Sequence, residues 1–239
     1  MIDELSAISI ESANRFDLWC RICRDREVRR IAEAGVWRGE FAERVLRYCP
    51  DIASYYMIDP WRPLSRWNKP FNVSASVFAN VYRDAIECTA FAASKVVVLR
   101  GTTSDVASQI PDESLDLAYI DGDHTLRGIT IDLLTMLRKV RSGGLIGGDD
   151  YVDEPWHHGV AYEPTLVCPF ALYFAEAMNM PFVALPFQQF LILNAPIGFS
   201  FTNLSGAVRR DHVGKPESPV VRAARFTSTR VRQLFHRGP

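Results

Sequence analysis

Five short apolar runs, residues 28–36, 55–59, 95–101, 115–121 and 144–149, are rich in β-branched and aromatic side chains, and longer segments separate them. Runs of this length bounded by turn residues read as buried strands. Of the intervening segments, 40–48, 74–93 and 125–140 carry helical spacing, the last with Ile129, Leu133, Leu137 and Val140 on one side. Strand and helix in alternation predict an α/β, doubly wound sheet, mostly parallel, with helices on both faces. Past the fifth strand, 164–180 reads as a helix and 182–185 and 190–193 as closing strands. The second of these follows Gln188-Gln189, which predicts an antiparallel terminal hairpin. Residues 60–72, with three prolines and two tryptophans, break the rhythm and read as a loop over the rim of the sheet.

A chain of 239 residues, 48% hydrophobic, is long for one small domain and short for two. The expected organisation is a single domain over 28–204, an N-terminal helical extension over 1–27 and a basic tail over 205–239. In the tail Val220, Ala224, Thr227, Val231 and Leu234 recur at helical spacing among eight basic residues. A formal net charge of −1 argues against a dedicated nucleic-acid binder. No apolar stretch reaches transmembrane length and the first residues lack the regions of a signal peptide, so a cytoplasmic location is expected. Five scattered cysteines do not make a disulfide framework. Cys20 and Cys23 form a C-x-x-C, but no second pair follows, and with Trp19 and Ile22 they fit the buried side of a helix.

Ligands of open α/β sheets lie outside the carboxyl ends of the strands. The first strand ends in Glu33-Ala34-Gly35-Val36-Trp37-Arg38-Gly39, two glycines that permit a tight turn before a helix with free N–H groups. This is not a G-x-G-x-x-G dinucleotide fingerprint. The second strand ends in Asp59, suited to accept hydrogen bonds from two ribose hydroxyls, or, since Pro60 follows, to shape an Asp-Pro turn. The fourth ends in Asp121-Gly122-Asp123-His124 and the fifth in Gly147-Gly148-Asp149-Asp150. If these two ends lie side by side, they aim carboxylates and an imidazole at one point, as a metal-assisted reaction centre requires.

The run E-x-G-x-x-x-G, Asp59, the stretch Gly101-Thr102-Thr103-Ser104-Asp105 and the two acidic strand ends together resemble the class I S-adenosylmethionine-dependent O-methyltransferases. Within that class the chain is similar to the metal-dependent enzymes of the catechol type and, through Ile120–His124, Gly143-Gly144 and Asp149-Asp150-Tyr151, to the macrocin or mycinamicin sugar type. The likeness spans about residues 28–152. It implies a Rossmann-like fold in which Glu33 and the backbone of Gly35, Val36 and Gly39 hold the methionine part of the cofactor. By the same likeness Asp59 takes the ribose, Thr103 and Ser104 border the adenine, and Trp61 closes over it.

Asp121, Asp149 and Asp150 offer hard oxygen ligands of the kind Mg²⁺ or another divalent cation prefers, and three crowded carboxylates need such a charge. Asp123 is left outside the site, as a cap for the helix beginning near Thr125. His124 stands where the mycinamicin type has a histidine and the catechol type a lysine, so the resemblance implies that it is the general base. The alternatives are that it anchors the helix start or that Asp121 is itself the base. His157 and His158 are candidates for substrate contact or a second metal, or are simply solvated. The 61–67 and 151–162 loops and the N-terminal helix are expected to recognise the acceptor.

The expected reaction is methyl transfer to a hydroxyl of a sugar-bearing small molecule or glycan. A catechol-like phenol, or a cofactor-binding relative without catalysis, is the alternative. A homo-oligomer is a further expectation.

Overall fold

In the computed structural model, which describes residues 1–206, the five apolar runs become five parallel strands. They are β1 (Arg30–Ala34), β2 (Ser54–Asp59), β3 (Val96–Arg100), β4 (Leu115–Ile120) and β5 (Val140–Gly148). β6 (Pro181–Leu185) and β7 (Gln189–Leu193) form the expected hairpin, with β7 antiparallel between β5 and β6. Phe187 and Gln188 at its tip take positive φ, 60° and 63°, the conformation of a type I′ turn, without the Asn-Gly pair that usually announces one. β8 (Ser200–Asn203) pairs parallel with β6 and has no counterpart in the sequence reading, because four residues are too few for an alternation to register. The order across the sheet is β3-β2-β1-β4-β5-β7-β6-β8. This is the α/β Rossmann-like sheet expected, and its order reverses at β1, where β1 separates β2 from β4.

Alternate residues of each strand face opposite sides, as the pleat dictates. Ile31, Leu117 and Tyr119 pack under α1 (Ile2–Glu11), α2 (Arg15–Asp25), α3 (Glu40–Tyr48) and α4 (Ala75–Thr89). Ala32, Ala34, Ala118 and Ile120 pack against α5 (Thr103–Val106), α6 (Leu126–Lys139) and α7 (Val167–Ala177). The N-terminal helices are therefore part of the core. Leu18, Trp19, Ile22 and Cys23 of α2 are buried, and the C-x-x-C lies on that buried side. Trp19 stands edge-on to Tyr119, and its ring occupies the space that a Cβ on Gly147 would need.

No helix among the described residues is long and apolar enough to cross a membrane. Ser205 and Gly206 form a turn. The expected amphipathic helix of the basic tail lies outside the described residues.

Candidate active site

At the end of β1 the chain turns through Gly35, whose φ of 90° suits glycine and whose Cβ, if present, would fall on the backbone carbonyl of Asp121. This close approach joins the ends of β1 and β4, and the Asp121 N–H donates to the Ala34 carbonyl at 2.7 Å. Asp59 locks the same turn. Its Oδ2 accepts the N–H groups of Val36 and Trp37 at 3.0 and 2.9 Å, and its Oδ1 that of Trp61 at 2.7 Å. Burial raises the pKa of Asp59 despite these donors. Glu33 is buried and accepts from the Tyr55 hydroxyl at 2.8 Å, while burial holds its carboxyl well above the usual range.

Beside these strand ends lies a cavity of about 560 Å³. On the β1–β2–β3 side it is lined by Glu33, Gly35, Val36, Trp37, Asp59 and Thr103. On the β4–β5 side its walls are Asp121, His124, Asp149, Asp150, Trp67, Lys69 and His158.

Three residues expected at the cofactor do not line this cavity. Gly39, with φ 81°, precedes α3, and a Cβ there would meet the Cys88 sulfur and Ala85, so its smallness lets α3 pack on α4 and does not open the cavity. The Trp61 indole is buried against Tyr82 and donates through Nε1 to the Trp37 carbonyl at 2.9 Å, so it braces the turn from behind. Ser104 is exposed, because Thr102 and Asp105 form a capping box at α5 that turns Thr103 inward and Ser104 outward.

The two acidic strand ends do lie together. Arg15, at the first turn of α2, pairs with Asp121 at 3.2 Å and also with Asp149. His124 Nδ1 pairs with Asp150 at 2.6 Å, and His124 Nε2 lies 3.5 Å from Asp121 without a hydrogen-bond partner, although buried. The three aspartates expected to share a metal are thus already matched with a guanidinium and an imidazole. Burial alone would lower the pKa of His124, but its pairing with Asp150 and the attraction of Asp121 outweigh it and push it up to about 10. Asp150 moves oppositely: burial raises it, yet His124 brings it down to about 2. Among the described residues, the side chains whose ligand atoms converge within 4.8 Å are Asp150, His157 and His158. Asp123 accepts the Thr125 N–H at 3.0 Å and the Trp67 Nε1–H at 2.9 Å, while Thr125 itself caps α6.

Arg15, Lys69 and Gln189 are the site residues that sequence reasoning missed. Gln189 is fully buried, donates to Asp149 and Phe187, and accepts from Trp19 Nε1 at 2.8 Å and the Tyr119 hydroxyl at 2.9 Å. The Gln188-Gln189 pair marked the hairpin, and a polar residue opening an otherwise apolar strand was the available signal.

Residues 32–151 match the model of a family described as a methyltransferase domain. Among solved structures, an O-methyltransferase from Bacillus cereus in complex with SAH is 18% identical, with 80% of this chain and 89% of that chain covered and a TM-score of 0.55. The O-methyltransferase TomG from Streptomyces achromogenes, involved in tomaymycin synthesis and solved with SAM, is 17% identical over 81% of this chain and 90% of its own, with a TM-score of 0.54. Likeness at this identity is a likeness of fold. No curated protein matches the sequence significantly.

Proposed function

Because the chain belongs to the methyltransferase-domain family, and is thereby an S-adenosylmethionine-dependent methyltransferase, we propose that it moves the methyl group to a hydroxyl oxygen of a sugar-bearing small molecule or glycan. The observation that carries this reading is His124 Nε2, buried, without a hydrogen-bond partner, on the wall of a cavity whose other side is the glycine turn.

The residues fit the methyl donor. Glu33 is a buried carboxyl with a lone hydroxyl donor, and the α-ammonium of the cofactor is the cation that such a group lacks. Three of the roughly four lone-pair sites of the Asp59 carboxylate take backbone donors, and Oδ1 keeps one that can accept from a ribose hydroxyl. Gly35 and Val36 would border the methionine part and Thr103 the adenine. When bound, S-adenosylmethionine supplies an electrophilic methyl carbon.

The donor chemistry also suits a divalent cation. Asp121, Asp149 and Asp150 are oxygen ligands of the kind Mg²⁺ takes, although their oxygens do not converge within 4.8 Å of one another here, where Arg15 and His124 supply the positive charge they require. When bound, the ion lowers the pKa of an acceptor hydroxyl. His124 then has a defined task. Asp150 on Nδ1 orients the ring and leaves Nε2, 3.5 Å from Asp121, as the nitrogen that takes the hydroxyl proton. With its pKa near 10 the imidazole holds a proton at neutral pH, so it serves as a base only when the charge of Asp121 and Asp150 is drawn away from it. In-line transfer further requires the acceptor to be held in place, and Trp37, Trp67 and Phe71 offer flat faces for a ring. Those aromatic walls also favour the second reading, a catechol-like phenol.

The test is methyl transfer from S-adenosylmethionine to a panel of sugar diols and catechols, with and without chelator. Transfer that chelator abolishes is expected. His124→Ala should lower kcat about 10²-fold or more and leave cofactor affinity unchanged. Equal loss of both would assign His124 a structural role, and failure to bind the cofactor would end the reading altogether.

A further inference from the structure

Two lysines are buried among the described residues, Lys69 and Lys139, and they are satisfied very differently. Lys139 Nζ donates to an Asp112 carboxylate oxygen at 2.6 Å and to the Ile110 carbonyl at 2.8 Å. Lys69, 5% exposed, donates only to the Thr165 hydroxyl at 3.1 Å. Among the described residues no carboxylate lies within ion-pair distance of it, and Asp123, Asp150 and Glu163 act on it from farther away. An ammonium has three donors, and burying its charge against one neutral oxygen leaves most of the desolvation cost uncompensated.

The position of Lys69 is fixed by its surroundings. Asn72 ties the loop to itself, donating to the Leu64 and Trp67 carbonyls at 2.8 and 2.6 Å and accepting the Leu64 N–H at 3.0 Å. Asn68 and Glu163 then clamp this loop to the next. The Asn68 N–H donates to the Glu163 carboxylate at 2.8 Å, and the Glu163 N–H returns to the Asn68 carbonyl at 3.0 Å. Lys69 lines the cavity on the same side as His124 and Asp150, and His158, whose Nδ1 lies 3.5 Å from the Thr165 hydroxyl, lines it as well. Lys69 and His158, both beside the buried Thr165 hydroxyl, therefore stand on the wall of a cavity that also carries several carboxylates.

We propose that Lys69, assisted by Thr165 and His158, binds an anionic group of the acceptor, so that the preferred acceptor carries a carboxylate near the hydroxyl that is methylated. The proposal rests on the methyltransferase reading and adds the chemical class of its substrate. A carboxylate suits the site better than a phosphate dianion, because Asp121, Asp149 and Asp150 share the cavity and each added negative charge is repelled by them. The unpaired N–H donors of Lys69 then find their acceptor in a charge-assisted pair, which a neutral substrate cannot supply.

Matched pairs decide it: D-glucuronate against D-glucose, and 3,4-dihydroxybenzoate against catechol, titrated calorimetrically into the full chain with and without S-adenosylhomocysteine. In the wild type the acid of at least one pair should bind about tenfold or more tightly than its neutral partner. In Lys69→Met that preference should vanish, with S-adenosylhomocysteine affinity unchanged and the KM for the acid raised more than that for the neutral partner. Thr165→Val, which retains the charge, should keep the preference. Equal binding of acid and neutral partner, absence of binding by either acid, or a preference that survives in Lys69→Met overturns the proposal. The wild-type comparison stands whether or not the variants fold. Failure to bind S-adenosylhomocysteine would strike the methyltransferase reading instead, since the acceptors are also titrated alone.

Discussion

Arg15 shows how a site can depend on a residue that carries no signature. Asn14 caps α2 by accepting the Phe16 and Asp17 N–H groups at 3.0 Å, and this sets the guanidinium of the next residue at the sheet's edge, 5.0 Å from the Phe16 ring. From there it spans Asp121 and Asp149, the former 106 positions away in sequence. A fixed cation between two carboxylates competes with any metal for them. Arg15→Met should therefore raise affinity for Mn²⁺ about tenfold, read as loss of the free-ion signal in electron paramagnetic resonance. Unchanged or weaker affinity would show that the guanidinium does not occupy the metal's ground. The acids were legible because the residue that ends an apolar run of strand length must stand at the edge of the sheet. No local pattern marks Arg15 or Lys69, because each owes its role to chain that is remote in sequence.

At the scale of elements, α2 and the hairpin support the site from behind. Trp19 is fully buried, fills the space left by Gly147, and donates to Gln189, which in turn holds Asp149. Trp19→Ala leaves a large cavity and removes one of the two donors to the Gln189 oxygen, and should cost about 3–5 kcal/mol in urea denaturation. A loss below about 1 kcal/mol would mean that α2 is not part of the cooperative core. The strongly amphipathic elements were readable: α3 spans Glu40–Tyr48, the expected range, since Phe41, Ala42, Val45 and Leu46 recur on its buried face. α5, a four-residue helix, and β8 were not, since both are too short for periodicity to accumulate and persist through tertiary contact.

Across the whole molecule, several buried groups fold with their protons on. Asp132 of α6, buried and lining the cavity, is pushed up to about 7 by burial against the lowering effect of Thr103. Its unfolded value is near 3.8, so the folded state holds the extra proton between these limits. The stability it contributes is complete below pH 3.8 and is lost as pH rises through about 7. Glu33 acts in the same direction, and His124 does so from pH 6.5 up to about 10. Melting temperature should therefore fall between pH 4 and 7.5, and less steeply in Asp132→Asn than in the wild type. Parallel curves would show that Asp132 ionises normally in the fold.

Hydrophobic periodicity is local. It suffices for the parallel sheet, the layers of helix on it and the acidic ends of β1, β2, β4 and β5, because each strand's length and pleat depend on neighbours a few residues away. Whether a side chain at those ends reaches the cavity is a different matter. Gly39 packs two helices, Trp61 braces a turn and Ser104 faces outward, while Arg15 and Lys69 enter from distant segments and Gln189 holds Asp149 from behind. Such roles are set by which surfaces meet when the chain closes on itself, a long-range outcome of packing and charge that only the folded structure records.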